Sequence, residues 1–206
     1  MIAAFDLDGT LLKQNGSLAF CDFLCEKGFL SRRDMVYYAY TYARHRFFGL
    51  PFWDLHTLVF ERSFRGCSVD SLRPYIDQFM AERLEALWYP PAVLRLERMR
   101  KRGFECMILS NSPRFFVEHV AGKLGVEKVF ATEYQLDAEG KFSQLTLLMD
   151  GDRKKSEILA LGGEKTVAFS DSHLDLPFLE AAHTAVAVKP QRLLKKVAYQ
   201  RGWEIL

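Results

Sequence analysis

Met1-Ile2-Ala3-Ala4-Phe5-Asp6-Leu7-Asp8-Gly9-Thr10 opens the chain, and its reading decides the fold. Residues 2–5 form an apolar run too short for a helix and cut off abruptly at a polar turn, as a buried strand would be. No basic region precedes the run, so a signal peptide is not expected. Asp6 and Asp8 are two apart on extended chain and therefore share a face. Two close carboxylates raise each other's pKa unless a cation neutralises them.

Downstream of this strand the pattern changes twice. From about residue 17 to 88 apolar positions recur at helical spacing, for example Leu72, Ile76, Phe79 and Met80, and no strand interrupts them. Pro90-Pro91 then opens a helix that Gly103 closes. Strands follow at 105–109, in a hairpin over 129–149 turning at 137–140, at 166–169 and lastly at 185–188. Helices over 113–124, 154–161 and 174–182 lie between them. Strands alternating with helices predict an α/β fold around a Rossmann-like, mostly parallel sheet. The long helical stretch predicts an inserted α-helical cap after the first strand. The expected division is a discontinuous core, 1–13 and 88–206, and a cap, 14–87.

Composition excludes several classes. Hydrophobic residues make up 49% and charged residues 26% of 206, which rules out disordered, collagen-like and coiled-coil chains. Lys+Arg 28 against Asp+Glu 26 leaves +2, too little to indicate a nucleic-acid partner. No apolar run reaches the roughly 18 residues needed to span a bilayer. Cys21, Cys25, Cys67 and Cys106 form no CxxC, and the expectation is small buried hydrophobes in a reducing, cytoplasmic compartment.

Ligands of open parallel sheets bind beyond the carboxyl ends of the strands. There the first strand delivers Asp6 and Asp8, the second Ser110-Asn111-Ser112, and the strand at 166–169 Ser170-Asp171-Ser172-His173-Leu174-Asp175. Three carboxylates, Asp6, Asp8 and Asp171, suit a hard cation such as Mg²⁺, which keeps waters and a substrate phosphate. Ser110 and Lys155 offer the hydroxyl donor and point charge that a phosphoryl group requires.

These four ordered motifs, Asp6-Leu7-Asp8-Gly9-Thr10, Ser110, Lys155, and Asp171 with Asp175, resemble those of the haloacid dehalogenase superfamily of phosphohydrolases. The cap after the first motif, with Ser170-Asp171-Ser172-x-x-Asp175-Leu176-Pro177, looks like its phosphoserine-phosphatase-like subclass. The resemblance implies that Asp6 is the nucleophile, forming an aspartyl-phosphate, and that Asp8 is general acid and then base. It implies Mg²⁺ held by Asp6, the Asp8 main-chain carbonyl and Asp171, and phosphate held by Ser110, Asn111, Thr10 and Lys155. Asp175 supports Lys155 or a metal-bound water. An Asp at position 8 favours phosphoryl over carbon–halogen chemistry.

Lys154 adjoins Lys155, and the motif register before Ser156-Glu157-Ile158-Leu159 selects Lys155. Two positions depart from phosphoserine phosphatases. Leu174 stands where they carry Asn, and Gln14, Asn15, Gly16 and Ser17 where they carry an acid for the substrate amine. Both count against phosphoserine as substrate.

Residues 31–65 hold six Arg (32, 33, 44, 46, 62, 65) and ten aromatics, including Phe47, Phe48 and Trp53. Such a mixture binds single-stranded nucleic acid, lies on an anionic membrane, or buries its rings as the cap's core with the arginines in water. The last reading is favoured, because a small helical cap needs bulky residues. The expected function is a Mg²⁺-dependent phosphomonoesterase of a small phosphorylated metabolite, with a cap controlling access and no nucleic-acid partner. Alternatives are a phospholipid-headgroup or lysophospholipid phosphatase touching the membrane through its cap, and a catalytically weak binding protein. Oligomeric state is not legible.

Overall fold

The computed structural model describes all 206 residues. Seven strands form one sheet in the order β4-β3-β2-β1-β5-β6-β7, parallel throughout except for the β3–β4 hairpin. They are β1 (Ile2–Phe5), β2 (Glu105–Pro113), β3 (Lys128–Leu136), β4 (Phe142–Leu147), β5 (Thr166–Ser170), β6 (Thr184–Ala187) and β7 (Glu204–Ile205). β1 lies at the centre, with Phe5 level with Ile108 on one side and Phe169 on the other. A strand covered on both faces must be apolar on both, and every residue of β1 and β5 is buried.

Alternation along β1 assigns the two layers. Ala3 and Phe5 face a large cluster shared with Ile108, Phe169, Phe116 and Val120, and Phe5 stacks on Phe169 at 4.1 Å. Ile2 and Ala4 face a smaller cluster with Ile158, Phe178, Leu179 and Leu194. The first layer therefore contains α6 (Pro90–Lys101) and α7 (Arg114–Lys123), and the second α8 (Gly151–Ala160), α9 (Leu176–Ala181) and α10 (Arg192–Arg201).

Between β1 and α6 stand five helices: α1 (Gly16–Glu26), α2 (Arg32–Phe48), α3 (Phe52–Ser63), α4 (Val69–Glu82) and the short α5 (Leu84–Leu87). The chain leaves and returns side by side. Lys13 N–H donates to Leu87 C=O at 2.8 Å, Tyr89 N–H donates to Leu11 C=O at 2.9 Å, and Leu12 bridges to Trp88. Near the β3–β4 hairpin, Gly66 N–H and Phe142 N–H tie residues 66–67 to the start of β4 at 2.7 and 2.9 Å, covering an otherwise open sheet edge. No helix is long and apolar enough to cross a membrane.

Three details depart from the sequence reading. β2 runs on to Pro113, with a register shift between Ser110 and Pro113. Thr184–Ala187 is not the last strand, because α10 and the two-residue β7 follow. The aromatics of residues 31–65 do not all form a core. Tyr38, Phe60 and Phe64 are buried, whereas Tyr40, Tyr42, Phe47, Phe48 and Trp53 are exposed.

The inserted helices have no apolar core of their own. Phe20 and Phe23 of α1, Phe79 of α4 and Phe116 of α7 belong to the one large cluster, Phe79 lying 5.4 Å from Phe20 and 5.8 Å from Phe116. Insertion and sheet should therefore unfold together. Trp53 in the insertion and Trp203 beside β7 should report the same urea midpoint as far-UV circular dichroism. Phe79→Ala should destabilise that single transition by about 3–5 kcal/mol. An early, separate loss of the Trp53 signal would show that the insertion folds independently.

Candidate active site

Three strand ends meet around Asp6. Directly after β1 the backbone turns through residues 7–11, and Gly9 adopts φ +84, a conformation that only glycine takes cheaply. A Cβ there would also lie 2.5 Å from Asp171 Oδ2, so Gly9 is what lets the end of β5 close over the first motif.

Asp6 is buried and held at both oxygens. Lys154 Nζ donates to Oδ1 at 2.7 Å, and the Thr10 hydroxyl donates to Oδ2 at 3.1 Å. Lys154 also donates to Asp175 Oδ2 at 2.8 Å, and Ser170 Oγ donates to that same oxygen at 2.7 Å. Here the motif-register choice is corrected. Lys154, only 2% exposed, is the lysine in the site, and Lys155 points to solvent. Asp150 caps α8 by accepting from Arg153 N–H, which places Gly151, Lys154 and Ile158 on the sheet-facing stripe and Lys155 one residue off it. A Cβ at position 151 would lie 2.1 Å from Leu174 C=O, so glycine allows the start of α8 to press against residues 174–175.

Asp8 is turned the other way. Its Oδ2 accepts from Ser112 Oγ at 2.6 Å and Ser110 Oγ at 3.2 Å, and its Oδ1 accepts from Gly16 N–H at 2.6 Å. Ser110 is fully buried and spends its proton on Asp8. Asn111 is half-buried, its C=O accepting from Thr132 Oγ1 at 2.7 Å. Thr10, expected to hold phosphate, is instead fully buried between carboxylates, accepting from Asp171 N–H at 3.0 Å and reaching Asp171 Oδ1 at 3.4 Å. In the segment where phosphoserine phosphatases carry an acid, Asn15 caps α1 through Leu18 N–H at 2.7 Å, and Gly16 serves Asp8.

Ser112, Ser170 and Gln191, whose Nε2 is 3.3 Å from Asp171 Oδ2, were not singled out by sequence reasoning. A signal for the serines was present. Ser-x-Ser stands at the carboxyl end of both strands flanking β1, and in each the first hydroxyl accepts from the N–H two residues on, at 3.1 Å for Ser110 and 3.2 Å for Ser170.

The electrostatics follow from four carboxylates meeting one ammonium. Burial raises Asp6 well above the ordinary carboxylate range, Lys154 opposing and Asp175, Asp171 and Asp8 reinforcing the rise. Asp8 is raised by burial, and the donors from Ser112, Gly16 and Ser110 pull it back. Asp171 is pushed up to about 6, chiefly by burial. Burial works against the Lys154 charge, but Asp175 and Asp6 more than offset it and raise its pKa.

No three His, Cys, Asp or Glu side chains converge on one point, because the Asp8 carboxylate faces the serines. What remains near Thr10 is two carboxylates, Asp6 and Asp171, both buried enough to resist ionising alone. An all-oxygen set of two carboxylates and a main-chain carbonyl fits Mg²⁺, which retains waters. A surface recess of about 540 Å³, lined by His183, Arg201 and Trp203 among others, contains none of these residues.

Comparison with known proteins identifies the family and the fold. The family model described as haloacid dehalogenase-like hydrolase matches residues 3–180. A histidinol-phosphatase of Neisseria meningitidis is 24% identical, covering 100% of this chain and 97% of its own. The "inhibition of morphological differentiation protein" of Streptomyces azureus is 26% identical over 99% of this chain and 77% of its own length. A Bordetella pertussis structure of unknown function shares the fold with TM-score 0.89 at 22% identity, covering 100% of this chain and 97% of its own. The chain belongs to the haloacid dehalogenase-like hydrolase family.

Proposed function

We propose that the chain is a Mg²⁺-dependent phosphatase that hydrolyses a small phosphorylated metabolite through a phosphorylated Asp6. One observation carries this reading: two carboxylates two residues apart have opposite environments, Asp6 locked to Lys154 and Asp8 to two serines. Such a division separates a nucleophile from a proton carrier.

Asp6 Oδ2, which receives only the Thr10 hydroxyl, is the oxygen free to attack phosphorus, while Lys154 holds Oδ1. Two of the three Lys154 N–H donors go to Asp6 and Asp175, and the third serves a phosphoryl oxygen. Lys154 favours the ionised form of Asp6 against its burial, whereas Asp8, raised by burial and bonded to no ammonium, carries the proton that the leaving oxygen needs as its bond to phosphorus breaks. Deprotonated, Asp8 then takes a proton from the water that cleaves the acyl phosphate. Mg²⁺ bound by Asp6, Asp171 and the Asp8 carbonyl would supply charge neutralisation for the phosphoryl group. The phospholipid alternative shares all of this machinery and differs only in leaving group.

Asp6→Asn should fold, since it relieves a buried charge, and should lose at least about a thousandfold in kcat on p-nitrophenyl phosphate. Beryllium fluoride should bind the native protein and not this variant. Retained turnover would refute the covalent route.

Lys154→Met should abolish turnover and cost about 3–5 kcal/mol, because Asp6 and Asp175 are left buried without their cation. Lys155→Met should stay within about 0.5 kcal/mol and keep full activity. The reverse ranking would restore the motif-register assignment.

Asp6 and Asp171 hold protons more tightly when folded than unfolded. Metal-free stability is thus greatest below the unfolded carboxylate value and falls as pH rises toward 6. A cation that replaces those protons stabilises only above that window. At 100 times its Kd, Mg²⁺ should raise the melting temperature by roughly 5–10 °C near pH 7.5. Near pH 5 the rise should largely vanish. Equal shifts at both values would place the metal elsewhere.

A further inference from the structure

α2 packs chiefly against α1 and α3, and its buried side is narrow: only Tyr38 and Thr41 are fully covered. On the opposite side Val36, Tyr40, Ala43 and Phe47 follow one another at i, i+4, i+7 and i+11, the spacing of a continuous helical stripe. Val36 is 69%, Tyr40 59% and Phe47 75% exposed. At 100° per residue, Arg33 and Arg44 flank this stripe on one side and Arg32 and Arg46 on the other. The stripe runs into the α2–α3 turn, where residues 47–53 contain no charged side chain and Phe48 is 82% exposed.

Charge around the stripe is one-sided. Arg62 and Arg65 are neutralised by Asp34 and Glu61, at 2.6 Å each. Arg32, Arg33, Arg44 and Arg46 have no acidic partner, and Asp54 on α3 is the single unpaired acid of residues 31–65. Arg44 and Arg46 instead lie 5.8 Å from the rings of Tyr40 and Phe47.

We infer that this face of α2, with the α2–α3 turn, docks on an anionic lipid bilayer. An exposed apolar stripe with arginines along both borders is the form of a helix lying in a membrane interface. The rings enter the acyl boundary, and the arginine stems follow them while the guanidiniums reach lipid phosphates. A second copy fits poorly, since a twofold contact would set four unpaired arginines against their equals. Single-stranded nucleic acid uses ring faces along a charged groove, whereas Val36 and Ala43 present no ring and the turn is a helix-hairpin tip. The inference rests on this surface and not on the identity of the leaving group.

The full chain should co-sediment with vesicles of phosphatidylcholine mixed with phosphatidylglycerol, and far less with phosphatidylcholine alone. Salt should weaken the interaction. Arg44→Ala with Arg46→Ala should weaken partitioning roughly thirtyfold. Phe47→Ser with Phe48→Ser should weaken it at least as much. Both double variants replace exposed side chains, so their melting temperatures and p-nitrophenyl phosphate turnover should match the unsubstituted chain. Failure to sediment with either vesicle would overturn the inference, as would undiminished binding by both variants. So would a native dimer that the same substitutions convert to monomer, or oligo(dT) binding that they remove in place of vesicle binding.

Discussion

The buried ammonium of Lys154 is the constraint on which the rest of the site depends. Parallel strands ending together bring Asp6, Asp8, Asp171 and Asp175 to one edge, and carboxylates so placed repel unless something positive lies among them. Lys154 bonds two of them at 2.7 and 2.8 Å from a position almost without solvent. A buried pair of this kind is weak evidence for stability, because desolvation consumes much of the attraction. Its worth is positional: Lys154 occupies one oxygen of Asp6, and the other receives only the Thr10 hydroxyl.

Holding Lys154 there recruits a whole layer. α8 must begin close to residues 174–175, which glycine at 151 permits, and must turn one stripe inward, which Ile158 anchors among Ala4, Phe178 and Leu179. The flanking strands share the remaining work. Ser110 and Ser170 each take an N–H from the serine two residues on and give their own proton to a carboxylate, Asp8 in one case and Asp175 in the other. The same short turn, used on both sides of β1, orients both Asp8 and Asp175, the second partner of Lys154.

The alternation of short apolar strands with helices was readable, as was the delivery of acids to strand ends, because period and turn chemistry are local properties. Lys154 against Lys155 was not settled by motif register. The two differ only in helical phase, and that phase is set by the Asp150 cap and by Ile158 facing the sheet. β7 escaped notice because two residues make no period. The stripe of Val36, Tyr40, Ala43 and Phe47 is visible as spacing, but its exposure depends on α2 burying the other side, a tertiary fact.

Shared packing also limits how the insertion can move over Asp6. A lid that lifted as a unit would part α1 and α4 from α7 and expose Phe20, Phe79 and Phe116, each now almost without solvent. Fully exposing such a ring costs about 1.5–3 kcal/mol, so three would approach the whole stability of an ordinary domain. The crossing hydrogen bonds of Leu11, Lys13, Leu87 and Tyr89 hold the base of the insertion against the same motion. Of the inserted helices α2 is the least anchored, fully burying only Tyr38 and Thr41, whereas α3 buries Phe60 completely and touches the sheet through β4. Movement at low cost is therefore confined to α2, while Phe60 keeps α3 on Tyr134 at 4.5 Å and α1 keeps Gly16 N–H on Asp8.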